Sequence, residues 1–380
     1  MTKKILLVTE TPPETPNGFG VTLKCLLKNT SHNVIYTDAE FEIVGKTKGY
    51  LLAQVPFHRS KKYFLPFLLG KLPEWRSLYS SAWLKQNINN YYSTVYAFVY
   101  SFECMRFAAW ISKKEKKPLI IHLADHTADF ETPYAQNILM EAKKLVCISE
   151  AMKFRYEKTL GRNDIEILHN GAESACFNIP APHNVSFSKE NPFKICFIGG
   201  LFSDLHGESI EDVFEAVKNI RFKKPWVEFH LYGQRQPKDF LSHLLSQKGC
   251  YDHGIVMPLE KKFEIMEEAS CFVIPSSFNE QKHSNYRYSF PTKLPELIAA
   301  GRPIISYGPE NTSTNKILKE NHIGIHLHNR CVWSLSKLLC KIIDQYSDLI
   351  AQEKERRSYY ENRFSADLAR NKFSKILAIN

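Results

Sequence analysis

The chain has 380 residues, of which 44% are hydrophobic, 13% aromatic and 24% charged. This is ordinary globular composition, and it excludes disorder, collagen and coiled coil for the chain as a whole. Lys and Arg total 50 against 40 Asp and Glu, a net charge of +10, so we expect an anionic partner such as nucleic acid, acidic lipid or a phosphorylated substrate.

The first half of the chain alternates strand-like apolar runs with helical segments. It opens with a strand at 5–9, a glycine-containing turn and a helix from about 21 to 28. Further strands are predicted at 33–36, 96–100, 119–123, 145–149 and 165–168. Such alternation predicts an α/β domain, which we place at residues 1–180.

The second half shows the same alternation more regularly. Strands are predicted at 194–198, 227–232, 254–257, 271–275, 303–307 and 323–327, and helices at 209–220, 238–247, 261–269, 293–300 and 315–321. Right-handed crossovers then give a parallel sheet covered by helices, a second Rossmann-like domain at 181–355, with residues 178–192 as a linker. The helical tail at 356–380 is predicted to return to the N-terminal domain. We expect a ligand in a cleft between the domains, at the carboxyl ends of both sheets.

The cysteines and the hydropathy of the chain indicate in which cellular compartment the protein is expected. The nine cysteines form no C-x-x-C pair and are odd in number, which favours reduced packing residues in a cytosolic protein. The apolar run after the N-terminus is too short for a signal peptide, and no apolar run approaches the ~20 residues of a membrane-spanning helix. We therefore expect a soluble or at most peripheral protein.

The most informative segment follows the strand at 271–275. Thr292 is a predicted N-cap, and Pro295 falls in the first turn of the helix, where its missing N–H costs little. Lys293 in that turn opposes the helix dipole, a conflict that a bound phosphate would remove. Glu296, one turn on, suits paired ribose hydroxyls. The alternative is an i, i+3 ion pair between Lys293 and Glu296 on a solvated helix.

The same segment reads P-x-K-L-x-E-x-x-A-A-G-x-P-I-I and resembles the donor-binding segment of GT-B glycosyltransferases, especially the family 4 group and relatives that build bacterial surface polysaccharides. Three further stretches match in the expected order: Asn17-Gly18-Phe19-Gly20, the serine strand and Asn-Gly turn at 145–171, and Phe197-Ile198-Gly199-Gly200-Leu201 with His206-Gly207 beyond it. The matches span nearly the whole chain. Leu23, which stands where the third glycine of the dinucleotide-binding fingerprint would be, argues against a nicotinamide site.

The resemblance implies a GT-B fold with two Rossmann-like domains facing across a cleft, a nucleotide-sugar donor as co-substrate, no cofactor and no bound metal. The donor-binding residues that it implies are Gly18, Phe19, Gly20, Gly199, Gly200, His206, Gly207, Gly233, Arg235, Thr292, Lys293, Leu294 and Glu296. For the first glycine turn, an ordinary strand-to-helix connection is the alternative.

The chain also departs from the family pattern. The resembling enzymes carry an arginine and a lysine where this sequence has Leu201 and His206, and a glutamate where it has Tyr288. Two cations for the diphosphate are thus missing. We expect the charge to come from Lys293, with Arg235, Lys282 or Arg287 as further candidates.

An inverting transfer to a sugar hydroxyl needs a general base at the carboxyl end of an N-domain strand. Asp125 is the predicted base and His126 the competing choice; a retaining transfer would not require either in that role. The alternative is that Asp125 caps the following helix and that His122 is a packed strand residue.

Residues 57–92 interleave Lys and Arg with Phe, Leu, Trp and Tyr. This pattern is typical of a segment that binds an anionic membrane surface, here beside a lipid-linked acceptor. The alternative is a segment with an aromatic core and a solvated basic face. No nucleic-acid-binding module is apparent, so we expect no nucleic acid. The sequence predicts a glycosyltransferase for a glycan or lipid-linked acceptor in capsule or lipopolysaccharide synthesis, cytoplasmic or peripheral at the inner face of the membrane. A nucleotide-sugar epimerase and a catalytically degenerate nucleotide- or carbohydrate-binding protein remain alternatives.

Overall fold

The computed structural model of the chain describes residues 5–13, 15, 17–28, 30, 32–36, 52–54, 92–182, 186–256, 259–279 and 287–378. The chain divides into two compact units: Met1–Asn170 with Ala369–Asn380, and Gly171–Leu368. The chain passes from the first unit to the second after Asn170, earlier than the predicted boundary at 180. It returns to the first unit at Ala369, later than the predicted residue 356. Among the described residues, no helix is both long and apolar enough to cross a bilayer.

Unit 1 contains a parallel sheet whose described strands lie in the order β3-β2-β1-β4-β5-β6-β7. The strands are β1 (Ile5–Thr9), β2 (His32–Tyr36), β3 (Leu52–Gln54), β4 (Thr94–Val99), β5 (Leu119–Leu123), β6 (Lys144–Cys147) and β7 (Glu166–Ile167), and the helices are α1 (Gly18–Leu27), α2 (Phe102–Glu115), α3 (Pro133–Glu141) and α4 (Glu150–Leu160), with a short 3-10 helix at Ala128–Glu131.

Unit 2 contains a second parallel sheet, in which the described strands lie in the order β12-β10-β8-β13-β14-β15, and a small sheet formed by β9 and β11. Its strands are β8 (Phe193–Ile198), β9 (Leu201–Phe202), β10 (Val227–Tyr232), β11 (Arg235–Gln236), β12 (Cys250–Asp252), β13 (Cys271–Pro275), β14 (Ile304–Tyr307) and β15 (Ile325–Leu327). The remaining helices are α5 (Ser174–Phe177), α6 (Gly207–Arg221), α7 (Ser242–Leu245), α8 (Leu259–Glu268), α9 (Leu294–Ala299), α10 (Ser313–Glu320), α11 (Val332–Asp344), α12 (Tyr346–Phe364) and α13 (Ala366–Leu377).

Each unit has its own apolar core because the strands are buried on both faces, as expected for parallel sheets. In β10, Val227, Phe229 and Leu231 face a core shared with α6 and α11. In unit 1, Phe373 of α13 packs in the core with Tyr96, with ring centroids 5.1 Å apart. Each such fully buried large side chain contributes roughly 1.5–3 kcal/mol of burial energy. The last helix thus completes the core of unit 1.

Several local predictions are wrong, among them the helix predicted at 238–247, of which only Ser242–Leu245 is helical. The strand predicted at 254–257 is absent where the structure describes that stretch, and the sheet uses β12 at Cys250–Asp252 instead. Gly254 has a left-handed φ of 63° and its N–H donates to Asp252 Oδ1, which makes a turn, while Ile255 is 64% exposed. Helix α1 begins at Gly18, not near residue 21, because Asn17 Oδ1 caps it by accepting from the Gly20 N–H at 2.9 Å.

Thr292 is not the N-cap of α9. That position belongs to Lys293, without a side-chain cap, and the Leu294 N–H donates instead to the Pro291 carbonyl at 2.9 Å. A backbone turn thus satisfies the first helical amide. Pro295 lies in the first turn of α9, as predicted.

The nine cysteines are all free and are buried or partly buried, which confirms their prediction as packing residues. Strand β3 was not anticipated from the sequence. The basic and aromatic stretch at 57–92 lies, apart from its last residue, outside the described residues, and so does Lys282.

Candidate functional site

The loops at the carboxyl edge of the unit 2 sheet are tied together by the first turn of α6. Glu208 accepts hydrogen bonds from Ser277 Oγ at 2.8 Å and from the Phe278 N–H at 2.7 Å. Ser209 Oγ donates to the Ser276 carbonyl at 2.6 Å. Because β8 precedes α6 and β13 precedes Ser276, these bonds hold the ends of two adjacent strands in a fixed arrangement. This is the edge where a parallel α/β sheet presents its ligand site.

Lys293 and Glu296 both lie at the start of α9, but the carboxylate of Glu296 pairs with Lys262 of α8. The side chains of Lys262 and Glu296 are 16% and 14% exposed, so this ion pair is largely withdrawn from water. The ammonium of Lys293 has no hydrogen-bonding or ion-pairing partner within the described part of the chain. The predicted alternative of an i, i+3 ion pair on a solvated helix is therefore not formed.

Lys293 occupies an environment that disfavours its charge. Burial, followed by the nearby charge of Lys262, lowers the pKa of Lys293 from 10.5 to about 8, while Glu296 raises it in part. The three charged groups together carry one more positive than negative charge when Lys293 is protonated. An anion at this position would balance that charge, since a buried cation is stable only when it is paired.

The predicted donor-site glycines fall into two groups by what surrounds them. A Cβ on Gly233, whose φ is 146°, would lie 1.7 Å from the Gly199 carbonyl oxygen, and one on Gly200 would lie 2.6 Å from the Phe202 ring. The chain's own packing accounts for these two. A Cβ on Gly199 would come no closer than 3.4 Å to Phe197, and one on Gly207 no closer than 3.9 Å to Ser277. Gly199, directly after β8, and Gly207, the first residue of α6, thus have room beside their Cα atoms; the φ of 28° at Gly207 also favours glycine.

Two positions where the resembling enzymes carry cations, Leu201 and His206, and the further candidate Arg235 add no free charge. Leu201 is 2% exposed. Burial lowers the pKa of His206 to about 4, despite its hydrogen bond with the Phe202 backbone, so its ring is neutral at pH 7. Arg235 forms an ion pair with Asp252 at 2.9 Å and donates to the Phe240 carbonyl.

The glycine turn of unit 1 has a local structural explanation. A Cβ on Gly20 would lie 2.1 Å from the Thr15 carbonyl oxygen, so the turn itself requires glycine there. Phe19 stacks on Tyr100, with centroids 4.5 Å apart. Gly18 is the first residue of α1. These contacts place the turn at the carboxyl end of β1.

Asp125 and His126 follow β5 at the same edge of the unit 1 sheet. His126 is 5% exposed, with Nδ1 3.0 Å from the Tyr156 hydroxyl and Nε2 3.0 Å from Glu131. Burial, with the charge of Arg155, lowers the pKa of His126. A neutral ring that donates from Nε2 to Glu131 and accepts at Nδ1 from Tyr156 has both nitrogens occupied. The contacts with Tyr156 and Glu131 thus occupy both ring nitrogens of His126.

Of the two alternative structural roles predicted at this edge, the one for Asp125 as a helix cap is wrong and the one for His122 as a packed residue is confirmed. The 3-10 helix is preceded by Thr127, and α3 is capped by Thr132, so Asp125 caps neither; its Oδ1 accepts from the His126 N–H at 2.9 Å. His122 is a packed strand residue, as the alternative held. Its Nδ1 lies 2.6 Å from the Tyr96 hydroxyl, and burial lowers its pKa to about 3.

Sequence reasoning missed Glu10, which follows β1. Its Oε1 accepts from the Ser101 N–H at 2.6 Å and from the Tyr100 N–H at 3.2 Å, at the start of α2. Burial raises the pKa of Glu10 from 4.5 to about 7, although these hydrogen bonds oppose the shift. An acidic residue directly after a buried strand, the signal that pointed to Asp125, would have identified it.

Lys262 and Glu208 were also missed, and no local motif marks either of them. Leu294, a predicted donor residue, is fully buried in the core, so its contribution is to hold α9 in place. Within the described residues, no group of three or more His, Cys, Asp or Glu side chains could hold a metal ion.

Comparison with known proteins gives a family match for part of the chain. Residues 192–344, within unit 2, match the family described as glycosyl transferases group 1. No curated protein sequence matches the chain.

Solved structures resemble the chain over its full length. The crystal structure of Anabaena HepE in complex with UDP-glucose has a TM-score of 0.70 at 15% identity and covers 99% of both chains. WaaG, a glycosyltransferase involved in lipopolysaccharide biosynthesis, has a TM-score of 0.65 at 14% identity, covering 99% of this chain and 100% of its own. Sucrose-phosphate synthase from Thermosynechococcus elongatus has a TM-score of 0.68 at 11% identity, covering 99% and 98%. These likenesses confirm the predicted fold class, GT-B with two Rossmann-like domains.

Proposed function

We propose that this protein, a divergent GT-B glycosyltransferase, moves a sugar from a nucleotide-diphosphate donor to a glycan or lipid-linked glycan in bacterial surface polysaccharide synthesis. The family match of residues 192–344 and the fold of the chain support the glycosyltransferase activity. The observation that supports the nucleotide donor is the surplus positive charge formed by Lys293, Lys262 and Glu296 at the carboxyl edge of the unit 2 sheet.

The donor would be held by unit 2. Glu296 would accept hydrogen bonds from the ribose hydroxyls, and Lys293 would neutralise the diphosphate. Gly199 and Gly207 would let the phosphates approach the backbone closely, since neither is filled by neighbouring atoms. The crystal structures of HepE with UDP and with UDP-glucose support a donor of this class.

Catalysis by inverting transfer would use Asp125 of unit 1. The acceptor hydroxyl gives its proton to the Asp125 carboxylate, its oxygen forms the new bond to the anomeric carbon, and the bond from that carbon to the phosphate oxygen breaks. The leaving nucleoside diphosphate keeps the electron pair, and Lys293 stabilises its charge. In retaining transfer the base would be unnecessary and positioning would dominate.

The role of WaaG in lipopolysaccharide biosynthesis supports an acceptor that belongs to a bacterial surface glycan. We propose that the enzyme works in the cytoplasm, at the inner face of the membrane, where residues 57–92 would bind anionic lipid. It would use no cofactor or metal besides the donor. Anionic vesicles should then retain the protein and neutral vesicles should not.

The function is tested by incubating the protein with a mixture of nucleotide-activated sugars and bacterial membrane extract and analysing the products by mass spectrometry. We expect a glycan or lipid-linked glycan heavier by one sugar, together with free nucleoside diphosphate. Interconversion of the donor sugar without an acceptor would indicate an epimerase instead. Nucleotide binding with no turnover on any acceptor would indicate a binding protein.

A further inference from the structure

The charged cluster at the start of α8 and α9 contains one residue whose role is not explained by packing. Lys262 belongs to the first turn of α8, and its ammonium reaches Glu296 of α9, 34 residues later. The next residue on the N-terminal side, Lys261, is exposed and has no such contact. The structure thus distinguishes two adjacent lysines, one solvated and one engaged in the cluster.

Topology places Lys262 at the ligand edge of the sheet. Helix α8 leads into β13, and α9 leads into β14; the two strands are parallel neighbours. A helix that feeds the amino end of a parallel strand starts at the opposite, carboxyl edge. The first turns of α8 and α9 therefore both lie at that edge, which explains how Lys262 can reach Glu296.

The charges around the cluster define what it can bind. Lys262 and Glu296 neutralise each other, and Lys293 remains unpaired within the described residues. Among the described residues, Glu173 and Cys176 of the α5 segment also lie near the pair; burial and then Glu296 raise the pKa of Cys176 to about 12, so its thiol is uncharged at neutral pH. Glu173 acts on Cys176, whereas the charges that act on Lys293 are those of Lys262 and Glu296. An anionic ligand is what the surplus charge accommodates.

Of the described residues that follow β8, Leu201 is apolar and His206 is neutral, so neither supplies positive charge. Two cations elsewhere on this edge are already neutralised, Arg235 by Asp252 and Arg330 by Asp212. Of the described candidate cations, Lys262 and Lys293 on the α8 and α9 side of the site are left to supply charge for a diphosphate; Arg287 is exposed, and Lys282 lies outside the described residues.

We propose that Lys262 is a further donor-site residue, which fixes the carboxylate of Glu296 for the ribose and, by neutralising that carboxylate, leaves the charge of Lys293 to receive the diphosphate. The inference rests on the proposed donor site and adds a residue to it. Lys262 also repels the charge of Lys293, so it sets the pH range in which Lys293 stays protonated for an incoming phosphate.

The test compares Lys262→Gln with the matched control Lys261→Gln, using UDP and GDP as probes in calorimetric titrations from pH 6.5 to 9.5. We expect the wild-type affinity to fall as the pH rises through about 8. In K262Q the affinity at pH 7 should be about tenfold weaker, and the fall should shift to higher pH because Lys293 is no longer repelled. K261Q should match the wild type in both respects.

The pH shift separates a role in binding from a purely structural role, which would weaken affinity without moving the profile. Lys262→Arg keeps the charge and should restore the affinity and the wild-type profile. Identical affinity and pH profile in K262Q and K261Q would overturn the role of Lys262 alone. A wild-type protein that binds neither nucleotide would overturn the proposed function itself.

Discussion

Glu296 forms its ion pair with Lys262 of α8 and not with Lys293, three residues earlier in its own chain segment. As a result, Glu296 has an ion-pair partner and Lys293 has none among the described residues. Glu296 is held in place by a largely buried contact, and Lys293 has a buried ammonium that no neighbouring carboxylate fully compensates. This arrangement is poor for stability and suitable for an anionic ligand, a combination common at binding sites.

Replacing Lys293 should therefore stabilise the free protein. The native pKa of Lys293 is about 8 against an ordinary 10.5, so between these pH values the unfolded chain binds more protons and stability rises with pH. Lys293→Met removes this dependence. At pH 7 we expect the variant to be more stable by about 1–3 kcal/mol, measured by urea unfolding. At pH 10.5 the advantage should have largely disappeared; an equal advantage at both pH values would contradict the assigned burial.

Two glycines at the carboxyl edge of unit 2 should respond differently to alanine. Gly233→Ala places a Cβ against the Gly199 carbonyl oxygen at a residue with positive φ. We therefore expect the free energy of unfolding to fall by roughly 2 kcal/mol or more. Gly199→Ala meets only ordinary contacts, so it should fold with near wild-type stability and bind UDP more weakly. Thermal unfolding and calorimetry distinguish the two effects. Unchanged nucleotide affinity in G199A would remove Gly199 from the donor site.

Variants of Asp125 and His126 should differ in how much transfer activity they retain. Asp125→Asn preserves the side-chain shape and removes the base, so in an inverting enzyme the transfer rate should fall by about 100-fold or more at unchanged UDP affinity. His126→Gln keeps hydrogen-bonding capacity towards Tyr156 and Glu131 and should lose less. The measurement is steady-state transfer with a fixed acceptor. Full activity in D125N would eliminate Asp125 as a base.

Glu10 should make the stability of the protein depend on pH in the acidic range. Its native pKa of about 7 exceeds the ordinary 4.5, so between these values the native state binds more protons and stability falls as the pH rises. Glu10→Gln keeps an acceptor for the Ser101 and Tyr100 amides without ionising. The wild type should lose up to about 3 kcal/mol relative to E10Q between pH 4.5 and 7. Parallel pH profiles of the two proteins would show that Glu10 is not buried in this way.

The sequence was most informative where local signals determine structure. Strands β1, β5, β10 and β13 have the predicted bounds because each is a short run rich in apolar, β-branched or aromatic residues. The strand predicted at 254–257 failed because Gly254 and the Asp252 side chain make a turn there, which hydropathy does not register. The start of α1 was missed because the side chain of Asn17 caps it.

Contacts between residues that are far apart in the sequence could not be predicted from sequence patterns. The segment around Lys293 was recognised from its motif, but its partner Lys262 could be found only once α8 and α9 were placed side by side. Likewise, the choice between Asp125 and His126 depended on Tyr156 and Glu131, which occupy both nitrogens of the histidine ring. Motifs pointed to the candidate residues, and tertiary contacts showed which groups surround each of them.

The central claim is that Lys293 and Glu296 hold a nucleoside diphosphate. Its most direct test is calorimetric titration of the wild type, Lys293→Ala and Glu296→Ala with UDP and with GDP, alongside Lys261→Ala as a control for lost surface charge. We predict that the wild type and K261A bind at least one nucleotide equally well and that each of the other two variants binds it about tenfold or more weakly. Wild-type affinity in both K293A and E296A, with folding intact, would contradict the claim.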